Sequence, residues 1–152
     1  MHIDDLTRDI LESAIHFHHE DGSTGIEDFT AIRNWLLNII ELEKGTLSTL
    51  NYIFCSDAYL HKINVDYLQH DTYTDIITFQ YEPDIVGGDI FISTERVQEN
   101  AVANHVSFLN ELHRVMVHGV LHMLGYKDKT VEEQQIMRSK EDFYLERVGL
   151  LL

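Results

Sequence analysis

Cysteine occurs once and proline once in 152 residues. With Cys55 alone, no disulfide can form within the chain, and the paired-cysteine spacings of zinc fingers are absent. Cys55 lies in the apolar run Asn51-Tyr-Ile-Phe-Cys-Ser56 and reads as a buried inert thiol rather than a nucleophile. No apolar run approaches the ~20 residues of a membrane span. The first residues, MHIDDLTRDILESA, lack the basic start and apolar stretch of a secretory signal, so a soluble, cytoplasmic protein without membrane partners is expected. Basic residues are scarce: 11 against 26 acidic ones, a net charge of −15. Such a surface repels nucleic acid on average, and a polyanionic substrate would need a local basic patch or a bound metal.

Hydrophobic residues make up 44% of the chain, enough to bury a core, and the length suits one domain, 1–152. There is no internal repeat or low-complexity tract. Residues 14–19 alternate as a strand, with His16 and His18 on one face and Ile15, Phe17 and His19 on the other. The period of Phe29, Ile32, Leu36, Leu37 and Ile40 predicts a helix over 28–43. A strand follows at 47–54, with Leu50, Tyr52 and Phe54 on one face, then a helix through 67 capped by Ser56. Residues 75–80 and 88–93, rich in β-branched and aromatic side chains, predict neighbouring strands in a hairpin with an irregular loop. Helices are predicted over 94–106, over 109–124 and over 131–147, the last opened by a Thr130/Glu133 capping box. The expectation is an α+β domain: a small mixed four-stranded sheet packed with about five helices.

The stretch HGVLHMLGYKD, residues 118–128, carries the chemistry. His118 and His122, four apart on a helix, project from one face and can reach one ion. Gly125 can adopt positive φ, end the helix and turn the chain back so that Asp128 adds a carboxylate. A lone pair of histidines is a weak signal in a chain with ten of them. These two differ in having the helix, the glycine turn and a third donor, within apolar surroundings where imidazoles need partners. The histidines of HFHHE, by contrast, are split across strand faces and read as an edge feature. Three ligands, His118, His122 and Asp128, on a helix in the C-terminal half and the turn after it, leave a position for water, the catalytic pattern of zinc. The same ligand spacing occurs in metzincin proteases, but their general-base glutamate is Gly119 here.

The stretch closely resembles the His-Gly-x-Leu-His-Leu-x-Gly-Tyr-Asp-His signature of the YbeY family of bacterial endoribonucleases. Asn64-Val-Asp-Tyr67, Thr74-Asp-Ile-Ile-Thr-Phe79 and Gly88-Asp-Ile resemble further segments of that family, so the likeness covers residues 64–128. It implies a metal-dependent, single-strand-specific endoribonuclease acting in ribosomal RNA maturation, at the 16S 3′ end, and in ribosome quality control. It also implies one zinc ion per chain on His118, His122 and Asp128, and the ribosomal subunit or its proteins as partners, with no DNA substrate. The family's third histidine is Asp128 here, and its arginine after Asn-x-x-Tyr is Leu68. Arg114, one turn before His118, is the expected replacement at the phosphate. Asp75 is expected as an outer partner of a ligating histidine. Lys62, Lys127, Lys129, Arg96 and Arg114 are expected to gather on one side of the metal. Two other readings are an amide hydrolase of protease type and a non-catalytic, metal-stabilised ribosome-associated factor.

Overall fold

A computed structural model describes residues 5–151. The element order is α1 (Asp5–Glu12), β1 (Ile15–His19), α2 (Thr30–Leu42), β2 (Thr46–Cys55), α3 (Asp57–Leu68), β3 (Ile76–Gln80), β4 (Ile85–Ser93), α4 (Thr94–Ala103), α5 (Phe108–Met123) and α6 (Val131–Leu151). The four strands form one sheet in the order β1-β2-β4-β3. β1 and β4 run parallel to β2, while β3 pairs antiparallel with β4, so the sheet is mixed and the 75–93 hairpin forms as expected.

Five helices follow the sequence pattern; α1 is a sixth. It has no legible core stripe because Leu6 and Ile10 both face solvent. The local signals elsewhere hold. Ser56 caps α3 through the Tyr59 amide (3.1 Å). Thr130 and Glu133 exchange hydrogen bonds at the start of α6, at 3.1 and 2.9 Å. β1 lies at a sheet edge with His16 and His18 exposed.

α5 is the central helix. Leu112, Met116 and Val120 are fully buried, as are Leu50, Tyr52 and Phe54 of β2. The Tyr52 hydroxyl donates to the Met116 carbonyl across this layer (2.8 Å). On α5's far side, Trp35 of α2 donates to the Tyr144 carbonyl of α6 (3.0 Å), so α2 and α6 are pinned together. A smaller cluster of Cys55, Leu60, Ile63 and Ile77 lies where α3 covers the opposite sheet face. Burial, with Asp21 and Asp57 nearby, pushes the Cys55 thiol up to about 12, which makes it inert at neutral pH.

Gly119 explains how α5 sits so close to the sheet. A Cβ at that position would lie 2.8 Å from Ile90 Cδ1 and 3.2 Å from Ile76 Cδ1. The missing side chain lets α5 settle on β4 and β3, bringing the next-door His118 to the β3 edge. A glutamate at 119 would drive a carboxylate against two isoleucines. The absent protease base is therefore a packing requirement of this fold.

Candidate metal centre

His118 and His122 are one turn apart on α5. Helix α5 ends at Met123 with Leu124 as its cap, and Gly125, at φ 108°, reverses the chain. Gln134, from the first turn of α6, donates to the Asp128 carbonyl (3.0 Å) and holds the turn in place. Asp128 Oδ2 then lies 3.4 Å from His118 Nε2 and 3.2 Å from His122 Nε2. One donor atom from each of the three residues falls within 4.8 Å of the others, close enough to share an ion.

The remaining ring nitrogens have acceptors of their own. His118 Nδ1 is 2.7 Å from Glu141 Oε2, and His122 Nδ1 is 2.9 Å from the Tyr126 carbonyl. A carboxylate and a carbonyl can only accept, so both Nδ1 atoms carry hydrogens. Asp128 Oδ2 likewise only accepts, so in the metal-free chain it faces an Nε2 hydrogen, that of His122 at 3.2 Å; a cation entering here would displace it and take both Nε2 atoms as ligands. This carboxylate–histidine arrangement is the support that zinc-type ligands ordinarily have. Burial pulls the His118 imidazole down, but the Glu141, Asp128 and Asp75 carboxylates outweigh it and hold it above its ordinary value of 6.5. A site so acidic around its imidazole calls for a cation. Two imidazoles and one carboxylate are a donor set that zinc accepts.

Glu141 went unread in the sequence, yet it organises the site. It is nearly fully buried, and its other oxygen accepts from Arg114 Nη1 at 2.8 Å. Arg114 Nη2 is taken by Asp142 at 2.7 Å. Expected at a phosphate, Arg114 is instead held at both terminal nitrogens, because α6 docks two acids over the α5 face that carries it. Asp75, expected behind a ligating histidine, makes no hydrogen bond to either imidazole among the described residues; Glu141 holds that place. Asp75 instead lines the cleft, and burial raises its carboxyl above the usual range, partly offset by its own backbone and by His118. His113, also on α5, turns away to pack edge-on against Trp35.

A second set of contacts backs the turn. Tyr126, whose carbonyl orients His122, donates its hydroxyl to Glu43 (2.6 Å). Tyr144 also donates to Glu43, and Lys140 reaches it at 3.0 Å. Burial pushes the Glu43 carboxyl up, but hydrogen bonds from Tyr126, Tyr144 and Lys140 outweigh it and hold it below its ordinary value of 4.5. A depressed carboxylate stabilises the fold above its unfolded value and stops doing so as pH falls through the folded one. Glu43→Gln is expected to lower stability at pH 7 by about 1–3 kcal/mol. That deficit should shrink as pH falls below 4.5, the ordinary value, and wild-type Glu43 takes up its proton. Urea melts across pH would show it; a deficit unchanged down to pH 2 would contradict it.

The three donors open onto a cleft of about 660 Å³, lined among others by Asn64, Leu68, His70, Thr72, Thr74 and the edge strand β3. Asn64, buried in α3, donates to the Thr72 carbonyl (2.8 Å) and fastens the loop forming one wall. Among the described residues no lysine or arginine lines this cleft, so the expected basic group does not gather there. Arg96 is taken by Asp57 and Glu99, and Arg114 by α6. The cleft is not uniformly negative either: three histidines stand against Asp75 and Asp128. His70, which the sequence reading passed over, has no side-chain partner among the described residues.

Comparison with known proteins agrees with this geometry. The family described as Endoribonuclease YbeY matches residues 15–149. An Endoribonuclease YbeY of Cytophaga hutchinsonii is 50% identical over 134 residues, covering 86% of this chain and 93% of that protein. That of Amoebophilus asiaticus is 48% identical over 133 residues, covering 86% and 90%. The solution structure of TM1509 from Thermotoga maritima is similar with a TM-score of 0.67 and 29% identity, covering 88% of each chain.

Proposed function

The chain belongs to the YbeY endoribonuclease family, and from that premise we propose that it is a metal-dependent, single-strand-specific endoribonuclease of ribosomal RNA maturation. In this reading the whole chain, 1–152, is one hydrolase domain. It holds one zinc ion on His118, His122 and Asp128 and works in the cytoplasm. There it trims the 16S 3′ end and serves ribosome quality control, with the ribosomal subunit or its proteins as partners. The observation that carries the metal dependence is the pair of Nδ1 atoms fixed by acceptor-only partners, which leaves both Nε2 atoms aimed at Asp128.

A bound divalent ion would polarise a phosphodiester oxygen and make water a nucleophile at neutral pH. The chain's own residues supply the rest. His118, His122 and Asp128 hold the ion, and Glu141 and the Tyr126 carbonyl keep the imidazoles in register. In this reading Asp75, which lines the same cleft, takes a proton from the incoming water at its carboxylate oxygen. Thr72, Thr74, Thr78 and Gln80 offer neutral hydrogen-bonding groups for ribose and base edges. Weak intrinsic affinity, with substrate brought by a ribosomal partner, fits the net charge of −15. The buried Gly119 leaves the amide-hydrolase alternative without its base.

The test is cleavage of a labelled single-stranded RNA beside its duplex. Metal-loaded protein should cut the single strand, chelator should abolish cutting, and added zinc should restore it. Cutting that survives chelation, or none after zinc loading, would contradict the proposal.

A further inference from the structure

A second, smaller cavity of about 240 Å³ adjoins the cleft and shares Asp75, Ile76 and His118 with it. Its other walls are Glu111, Arg114, Val115, Arg138 and Glu141. The two cavities therefore meet at the metal centre, one on the α3–β3 side and one on the α5–α6 side.

Of the two arginines in the small cavity, Arg114 is spoken for by Glu141 and Asp142. Glu141 is neutralised by Arg114 and His118. Glu111 is buried and keeps its charge, with one long hydrogen bond from Asn104 Nδ2 at 3.4 Å. Asp75 accepts from Asn100 Nδ2 at 3.4 Å. Of the cavity's cations, Arg138 alone is left without an ion pair among the described residues. It is exposed and has no hydrogen bond, ion pair or ring contact among the described residues. Its helical neighbour four residues on, Asp142, would be the ordinary partner, but Asp142 is engaged by Arg114. Arg138 is thus a fixed positive charge, unpaired, on the wall of a pocket that opens onto His118. Among the described residues the main cleft offers no arginine or lysine of its own.

Resting on the nuclease reading above, we infer that Arg138 is a phosphate-binding residue: its guanidinium takes a backbone phosphate of the RNA strand next to the one at the metal centre. The strand then crosses from the cleft into the side pocket, past His118 and over the start of α6. Guanidinium suits this task because it is always charged and bonds phosphate oxygens bidentately. The charge comes from α6, on the side of the metal centre away from Leu68.

The experiment is steady-state cleavage of a single-stranded RNA oligonucleotide at several salt concentrations, by wild type, Arg138→Ala and Arg138→Lys, all zinc-loaded. Losing one phosphate contact should raise KM about tenfold in Arg138→Ala with kcat within about twofold, and lysine should recover part of the loss. The slope of log(kcat/KM) against log[salt] should become shallower by about 0.7, the share of one phosphate on a single strand. Zinc content and melting temperature should match wild type, since Arg138 holds nothing in the fold. Wild-type KM and salt slope in Arg138→Ala, while wild type itself cleaves, would overturn the phosphate subsite and leave the nuclease reading standing. A loss of zinc or stability in Arg138→Ala would assign the residue a structural role and also overturn it. A zinc-loaded wild type that cleaves no RNA would overturn the nuclease reading, and the subsite with it.

Discussion

Replacing His118 by alanine is expected to lower RNA cleavage roughly a thousandfold, since a Lewis-acidic ion contributes several kcal/mol to such a transition state. The effect should be that large because His118 holds two things at once. Its Nε2 faces Asp128 and its Nδ1 faces Glu141. Removing the imidazole takes away one of three ligands and leaves Glu141 with Arg114 alone. His113→Ala is the internal control: that side chain is also buried on α5 but packs against Trp35. It should reduce stability while leaving zinc content and specific activity near wild type. Equal loss of activity in the two variants at matched folded fraction would argue that α5 integrity, and not the metal centre, sets the rate.

Glu141→Ala should show the second large effect, on stability and metal affinity together. Arg114 is only 15% exposed and Glu141 6%, so this pair lies largely out of water. Removing one partner of a buried pair leaves an uncompensated charge, at about 3 kcal/mol or more. Here Asp142 retains part of Arg114's charge, so about 3 kcal/mol is the expectation for the metal-free protein in urea. Zinc affinity should fall by about 10–100-fold, because His118 loses the acceptor that fixes its tautomer and orientation. Glu141→Gln should fall between: its one carbonyl oxygen can serve Arg114 or His118, but not both. Zinc affinity within about twofold of wild type in Glu141→Ala would mean that the Nδ1 contact does not tune the site.

These residues mark where the sequence was readable. His118, His122 and Asp128 follow from helical spacing and a glycine turn, all within eleven residues, so local rules reach them. The Ser56 cap and the Thr130/Glu133 box are local in the same sense, and β2's alternating core face is a periodicity. Glu141 is 23 residues from His118, and Glu43 is 83 residues from Tyr126. Those contacts exist only once α6 has docked on α5 and α2, and no spacing rule carries that docking. Arg114 divides the same way: the shared face with His118 was legible, whereas the acids that α6 lays over it were not. Gly119 shows the converse. Its lack of a carboxylate was plain in the sequence, but the cause, Ile90 and Ile76 against the helix, is tertiary. The α1 helix escaped because its apolar residues at 6 and 10 point outward and leave no core pattern.

The central claim is that His118, His122 and Asp128 together hold a metal ion. The most direct test is elemental analysis of zinc-reconstituted wild type beside Asp128→Ala, after removal of loosely bound metal. The account predicts about one ion per chain in wild type, as three protein ligands allow, and substoichiometric metal in the variant. A wild type that stays metal-free after reconstitution, or an Asp128→Ala variant that retains the full load, would contradict it.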